Sequence, residues 1–388
     1  MNRVMIAGVG MTHFGKHLGV GVRSLAVEAI DEAIADAGAD PADIERVYFG
    51  NAVAGIVTQQ EMIRGQVALR HHALEGAALI NVENACASGG SALSIGYEAI
   101  ASGAAEVVMV IGAEQLNHAD KSRPFNALRG STDIGDIGEA TLGETSSNSL
   151  LMDFYAEVAQ AYLDKYGADP ADFARVAVKN RANAAHNPKA HLRVPQSIDE
   201  VLGARMIVAP LTLPMCSPTT DGGAALLLCS ERYAAAKSAD AVELVTTRIA
   251  SGARGEPVAA AAKAVYEAAG IGPHDLDLME LHDAAAPAEL MQYAEVGLCD
   301  EGEGHLLIRK GETDIGGRIP VNTSGGLLSR GHPLGATGCA QVVELVTQLQ
   351  GRATGRQVEG ARHAMAINGG GWLDGSYALA VASILRKI

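Results

Sequence analysis

Two stretches of this 388-residue chain repeat one another without a gap, AGADPADIERVYFGN at residues 37–51 and AGIGPHDLDLMELHD at residues 269–283. A duplicated unit constrains the fold more than any single motif, because both copies must close the same turns and bury the same faces. Each copy opens on Ala-Gly at the end of an Ala-rich helix, where Gly supplies the left-handed stop. Pro41 or Pro273 follows three residues after that Gly, then an acidic turn, then a hydrophobic strand at residues 46–50 or 278–282. The agreement continues downstream. The first copy leads into Cys86-Ala87-Ser88-Gly89-Gly90, an Ala-rich helix to about Ser102 and a strand at residues 106–112. The second leads into a glycine-rich stretch at residues 324–338, a helix to about Gln350 and a strand near residues 363–367. Both halves therefore read strand, helix, strand, helix, strand. Right-handed crossovers turn that order into two similar mixed α/β sheets with helices on their faces.

The halves divide at residues 1–240 and 241–388. Periodicity is poorer over residues 115–225, which read as an excursion from the first half ahead of its last strand, Ala225 to Cys229. Residues 186–191, HNPKAH, read as an exposed loop within it. The competing reading is one large α/β domain with a coincidental repeat.

A chain this long exceeds a single ordinary core. Its 48% apolar content with only 4% aromatics and 45 glycines fits an Ala- and Val-rich α/β protein with tight turns. No apolar run approaches the ~18 residues of a membrane span. A strand beginning at about Val4 leaves no visible signal peptide. The five cysteines form no CxxC pair and no metal-ligand spacing, which fits a reducing cytoplasm. The net charge of −15 argues against nucleic acid or an anionic membrane as partner. An anionic ligand would need a local basic patch.

Four segments carry residues suited to chemistry. Cys86 lies between a strand at residues 78–82 and a helix that starts with small residues. A helix N-terminus favours thiolate, so the thiol is expected to be reactive; the plain alternative is a buried turn cysteine. His332 sits in NTSGGLLSRGHPLGATG at residues 322–338, on a backbone too small to bury an imidazole, and is a candidate proton shuttle. That glycine spacing matches neither a P-loop nor GxGxxG. Glu280-Leu281-His282-Asp283 ends the repeat, with His282 and Asp283 adjacent and hence not a dyad with each other. Asn368-Gly369-Gly370-Gly371 follows a strand and could present backbone N–H groups to an oxyanion, or be a flexible turn.

Taken together and in this order, CASGG, ELHD, NTSGGLLSRGHPLGATG and NGGG resemble the thiolase superfamily, and within it the sterol-carrier-protein type. The run VGLCDEGEG…GGRIPVNTSGGLLSRGHPLGATG matches that type nearly word for word, and the similarity spans the whole chain, including VAVKNRANAAHNP and PLTLPMCSPTTDGG. The resemblance implies two repeated βαβαβαββ halves in a five-layer αβαβα arrangement, with an inserted loop domain over the active site. It implies that Cys86 accepts the acyl group, that His332 activates it, and that His282 polarises a thioester oxygen. It makes the N–H groups of Cys86 and Gly370 an oxyanion hole, and puts Ser217 and Asn368 against the substrate. Coenzyme A and acyl-CoA are then substrates, with no permanent cofactor and no metal. A homodimer or tetramer in a degradation pathway is expected, with or without a small OB-fold, zinc-ribbon companion subunit.

Two departures bear on the chemistry. Asn368 stands where ordinary thiolases keep a second cysteine, and Ala284 where the sterol-carrier type keeps its acid/base cysteine. Cys216 and Cys339 are the remaining thiols that could substitute, though both are expected to be buried. The stretch between Ser251 and Pro257 is also shorter than expected for this type. The expected reaction is acyl transfer through acyl-Cys86, forming or cleaving a bulky aromatic, steroid-derived or branched β-keto acyl-CoA. The alternatives are a retro-aldolase acting on a β-hydroxy acyl-CoA with an OB-fold partner, and a non-catalytic acyl-CoA-binding subunit.

Overall fold

A computed structural model describes residues 2–135, 149–237, 240–252 and 256–388. The first half contributes strands β1 (Val4–Met11), β2 (Arg46–Gly50), β3 (Ala78–Val82) and β4 (Val107–Glu114). A small hairpin, β5 (Met206–Val208) and β6 (Leu211–Thr212), lies in the excursion, and β7 (Gly222–Ser230) returns to the sheet. The second half supplies β8 (Val242–Ser251), β9 (Leu278–Glu280), β10 (His363–Gly370) and β11 (Leu379–Arg386).

The sheet order β3-β2-β4-β7-β1-β8-β11-β10-β9 displays the duplication. In the first half β3, β2 and β4 run parallel, and β7 and β1 are antiparallel additions. In the second, β9 and β10 run parallel while β11 and β8 are antiparallel. The counterpart of β3 is reduced to one parallel bridge, Met279 to Val321. Instead of two separate sheets, hydrogen bonding is continuous, because β1 pairs with β8 through Val4, Met5 and Ile6.

Strand alternation sends each half's side chains to two different cores. Met5, Phe49, Met109 and Leu227 pack outward against helix α1 (Val22–Ala37). Ile6, Tyr48, Val110 and Leu226 face inward, with Leu278 and Ala366 of the other half. Between them lie α2 (Ser88–Ala101) and, further along the chain, the helix Leu334–Leu349. On the far side Met365, Ile367 and Ile384 meet the helix Pro257–Ala269. The layers thus run α, β, α, β, α. The excursion adds α3 (Leu150–Tyr166) and α4 (Pro170–Ala185); the later helices are α5 (Pro257–Ala269), α6 (Ala286–Glu295) and α7 (Leu334–Leu349).

Several sequence expectations change. The strand 278–282 stops at Glu280, because the N–H of Leu281 turns to the side chain of Asn322 at 2.8 Å. Asn368, Gly369 and Gly370 do not follow a strand but pair within β10, opposite Val381, Ala380 and Leu379. The HNPKAH segment is not a freely exposed loop: Asn187 and Ala190 are buried, and Asn187 donates to the Ser324 carbonyl. The shortened stretch after Ser251 lies largely outside the described residues.

Candidate active site

Cys86 and His332 meet because two helix N-termini touch. A Cβ at Gly89 in α2 would stand 2.6 Å from the Gly335 carbonyl oxygen in α7, so only glycine permits this approach. Cys86 precedes α2, after Ala85 takes a left-handed φ of +48°. His332 precedes α7, its N–H donating to Thr220 Oγ1 at 2.8 Å. His282 lies just past β9. The side chain of Gln292 in α6 takes its N–H at 2.9 Å and donates to its carbonyl at 2.8 Å. Asp283 points elsewhere, accepting from the N–H groups of Leu327 and Leu328 and from Asn180, so it forms no dyad with His282.

The Cys86 sulfur and one ring nitrogen from each of His282 and His332 lie within 4.8 Å of one another. The two imidazoles meet edge to face, centroids 5.1 Å apart, and Tyr377 abuts His282 at 5.6 Å. A thiol with two imidazoles is also a donor set that zinc accepts, although the thiol proton would have to leave first.

Burial governs the electrostatics. The Cys86 thiol is pushed up to about 12, first by desolvation and then by the charge of Glu114; the N–H groups of Cys86 and Gly371 pull the other way. This corrects the expectation of a resting thiolate: the helix terminus is outweighed by the loss of water. The glycine-rich surroundings do not leave His332 exposed either, since neighbouring layers bury it. Desolvation, with His282 and Arg330 nearby, holds His332 well below the ordinary histidine value. His282 falls to about 3, again by desolvation and then Arg330. Both imidazoles are neutral at physiological pH, and the thiol keeps its proton until a base takes it.

The three residues open onto a cavity of about 930 Å³. Lys16, Lys121, Arg181 and Arg205 line it with His118 and His191, and none of its described lining residues is Asp or Glu. The net-acidic chain thus has the local basic patch that an anionic ligand requires. The apolar lining includes Phe125, Leu128, Leu151, Met152, Tyr155 and Trp372.

Other expected residues divide. Ser217, Gly370 and Ala284 line the cavity, and the Ser217 N–H donates to the Ala284 carbonyl at 3.0 Å. Gly370 fits tightly against the Asn84 to Ala87 turn, and the N–H groups that favour the thiolate are those of Cys86 and Gly371. Asn368 is not a lining residue, because its amide is occupied by protein groups: Gly90 N–H at 3.3 Å, Cys86 carbonyl at 3.1 Å and His282 Nδ1 at 3.3 Å. Cys339 is fully buried with its thiol toward the Gly89 carbonyl. Cys216 is buried too and borders the cavity, but its thiol turns back to Thr212. Burial raises both thiols to about 12. Sequence reasoning missed Tyr377, Gln292 and Thr337. They stand in no glycine-marked motif of their own, except Thr337, five residues after His332.

Residues 4–205 match the family model described as the N-terminal domain of thiolase, and residues 246–384 the thiolase C-terminal domain-like model. Among relatives, an acetyl-CoA acetyltransferase of Methanothermobacter thermautotrophicus is 37% identical, covering 96% of this chain and 97% of that protein. Benzoylsuccinyl-CoA thiolase subunit BbsB of Thauera aromatica is 36% identical, covering 95% of each. Sterol carrier protein 2 of Bos taurus is 35% identical over 95% of this chain and 70% of its own length. Of solved structures, an Ltp2-ChsH2(DUF35) aldolase superposes with a TM-score of 0.80 at 27% identity, covering 100% of this chain and 98% of that one. The chain belongs to the thiolase family. Within it, these relatives indicate an acyl-CoA acyltransferase.

Proposed function

We propose that the protein transfers acyl groups through an acyl-Cys86 thioester, forming or cleaving a β-keto acyl-CoA with a bulky acyl part. The observation that carries this reading is the convergence of the Cys86 thiol with two neutral imidazoles at a large, basic-lined cavity. His332 takes the thiol proton, and the sulfur attacks the carbonyl carbon. His282 and the N–H groups near Cys86 receive the oxyanion; each such donor is typically worth about 2.7–4 kcal/mol of barrier. When the β-keto bond breaks, electrons leave as an enolate, which gains the proton held on His332 by way of solvent, so that the imidazole is neutral again. Coenzyme A then takes the acyl group from sulfur, its own thiol proton returning to His332. Lys16, Lys121, Arg181 and Arg205 suit the phosphates of coenzyme A, and Phe125, Met152, Tyr155 and Trp372 suit a wide apolar acyl group. The benzoylsuccinyl-CoA thiolase subunit among the relatives supports an aromatic substrate. Intact-mass spectrometry after incubation with aryl β-keto acyl-CoA should show one acyl adduct, absent from Cys86→Ala. No adduct on the wild type across such substrates would refute the reading.

A second reading, retro-aldol cleavage of a β-hydroxy acyl-CoA with a small companion subunit, is favoured by the aldolase neighbour. It needs no acyl-enzyme, so Cys86→Ala would then retain cleavage. For assembly, the open sheet edge β3, with Ile80 52% exposed, supports a homodimer. The Val-rich strand β4 lies between β2 and β7 and has no free edge for such pairing.

A further inference from the structure

The two imidazoles of the site are chemically alike, both buried and both neutral, yet the roles proposed above need a bare nitrogen on His332 and an N–H on His282. Their hydrogen bonds supply both. His332 Nδ1 lies 2.7 Å from Thr337 Oγ1, and that hydroxyl spends its own proton on the Pro333 carbonyl at 3.0 Å. The hydroxyl oxygen therefore accepts, and the proton of His332 is on Nδ1. Its Nε2 is left with a bare lone pair.

His282 is held the other way round. The orientation of the Asn368 amide is dictated by two backbone groups of opposite kind. Its Oδ1 accepts from the Gly90 N–H at 3.3 Å, and its Nδ2 donates to the Cys86 carbonyl at 3.1 Å. Exchanging the amide ends would set N–H against N–H and oxygen against oxygen. With the amide so oriented, its second N–H meets His282 Nδ1 at 3.3 Å, and that nitrogen must accept. The proton of His282 is then on Nε2. Asn368 is 2% exposed and its neighbours are close: a Cβ at Gly338 would stand 2.3 Å from Oδ1. The amide has little room to turn.

We propose that Asn368 is a positioning residue that locks His282 in the Nε2–H tautomer, while Thr337 locks His332 in the Nδ1–H tautomer. The opposite tautomers divide the work. The locks supply what the roles already proposed for the two rings require, a lone pair on His332 toward Cys86 and an N–H on His282 toward a substrate oxygen. The side chain at the position of the missing second thiol is thus not an idle replacement. It ties the Cys86 loop, the start of α2 and the His282 ring into one hydrogen-bonded unit across the two halves of the chain. This assignment of roles rests on the acyl-transfer reading, whereas the tautomers themselves do not.

The test is the nitrogen chemical shifts of histidine side chains in 15N-histidine-labelled protein, with His282 and His332 assigned through single substitutions. The expected wild-type spectrum has protonated Nε2 and unprotonated Nδ1 for His282, and the reverse for His332. In Asn368→Asp, of nearly the same shape, the carboxylate can only accept, so Nδ1 of His282 becomes protonated. With a confirmed substrate, kcat should fall by about 10²–10³, the loss of one oxyanion donor, with KM nearly unchanged. A protonated Nδ1 on His282 in the wild type overturns the proposal, as does a His282 signal unchanged in Asn368→Asp. Should that variant fail to fold, the wild-type shifts still decide. Failure to find an acyl-enzyme leaves the tautomer measurement intact, so the two readings fail separately.

Discussion

Arg330 and Glu280 form an ion pair closed to solvent, Nη1 to Oε2 at 3.1 Å, with the two side chains 1% and 0% exposed. Glu280 is the first residue of the ELHD motif and Arg330 stands two before His332, so one bridge ties the loops that carry both histidines. Ser324 completes it, donating its hydroxyl and its N–H to the same carboxylate. The Arg330 charge also helps hold both imidazoles neutral.

Removing one partner of such a pair strands a buried charge and typically costs about 3–5 kcal/mol. Glu280→Gln is therefore expected to be strongly destabilising, far beyond the loss of one hydrogen bond. Thermal melting at fixed protein concentration checks it, with Glu301→Gln, an exposed acid, as the reference. Equal melting temperatures for the two variants would show that the bridge is not holding these loops.

The proton on Cys86 makes a pH prediction. Thiolate is the species that iodoacetamide alkylates, and its fraction rises with pH toward the folded-state value of about 12. Alkylation of Cys86 should be slow at pH 7 and grow roughly tenfold per pH unit up to pH 9. Peptide mapping at several pH values measures this. A rate that levels off below pH 8 would mean a resting thiolate–imidazolium pair, and the neutral site described above would be wrong.

The chemistry of this site was legible in the sequence to the extent that glycine marks it. Cys86 and His332 each stand in or beside a run whose small residues let two backbones touch, as Gly89 and Gly335 do, whereas His282 is marked by its place at the end of the repeat. The ionisation of Cys86 was not legible. It depends on enclosure by residues such as Tyr377, hundreds of positions away in the chain, and on Glu114 at the end of the next strand. Strand ends were misjudged for local reasons. Asn322 intercepts the N–H of Leu281 and ends β9 early, whereas β11 holds Asn368, Gly369 and Gly370 in the ladder despite the poor strand propensity of glycine. The Val-rich run of β4 reads as a strand, but its sequence does not say where in the sheet it lies. All eight of its residues are buried, the mark of a central strand covered on both faces.

The exposed edge is β3, and it gives an assembly prediction. A chain whose open strand presents Ile80 to solvent should pair with a second copy. Sedimentation of the wild type at micromolar concentration is expected to give twice the 40.0 kDa chain mass or more. Ile80→Lys, a charge placed on that edge, should shift the distribution toward the monomer. A wild-type monomer would remove β3 as an interface.

The missing second thiol bears on which substrates the enzyme can turn over. Cleaving acetoacetyl-CoA releases the enolate of acetyl-CoA, a small and strongly basic carbanion that needs an acid close by. Ala284 lines the cavity beside Ser217 but has no proton to give, and Asn368 spends its N–H groups on Cys86 and His282. A β-keto acyl-CoA whose carbanion is already stabilised relaxes that demand. The wild type is therefore expected to be slow on acetoacetyl-CoA and faster on a bulky aryl substrate. Ala284→Cys places a thiol at the cavity wall within the same loop as His282. General acid–base catalysis typically contributes about 10²–10⁴-fold, so a gain on acetoacetyl-CoA within that range is expected. Steady-state rates of both proteins, under identical conditions and on both substrates, measure it. Wild-type turnover of acetoacetyl-CoA near an ordinary enzymatic rate of roughly 10 s⁻¹ would show that another group already supplies the proton. In that case the large apolar cavity, and not the absent thiol, would be the feature that sets substrate preference.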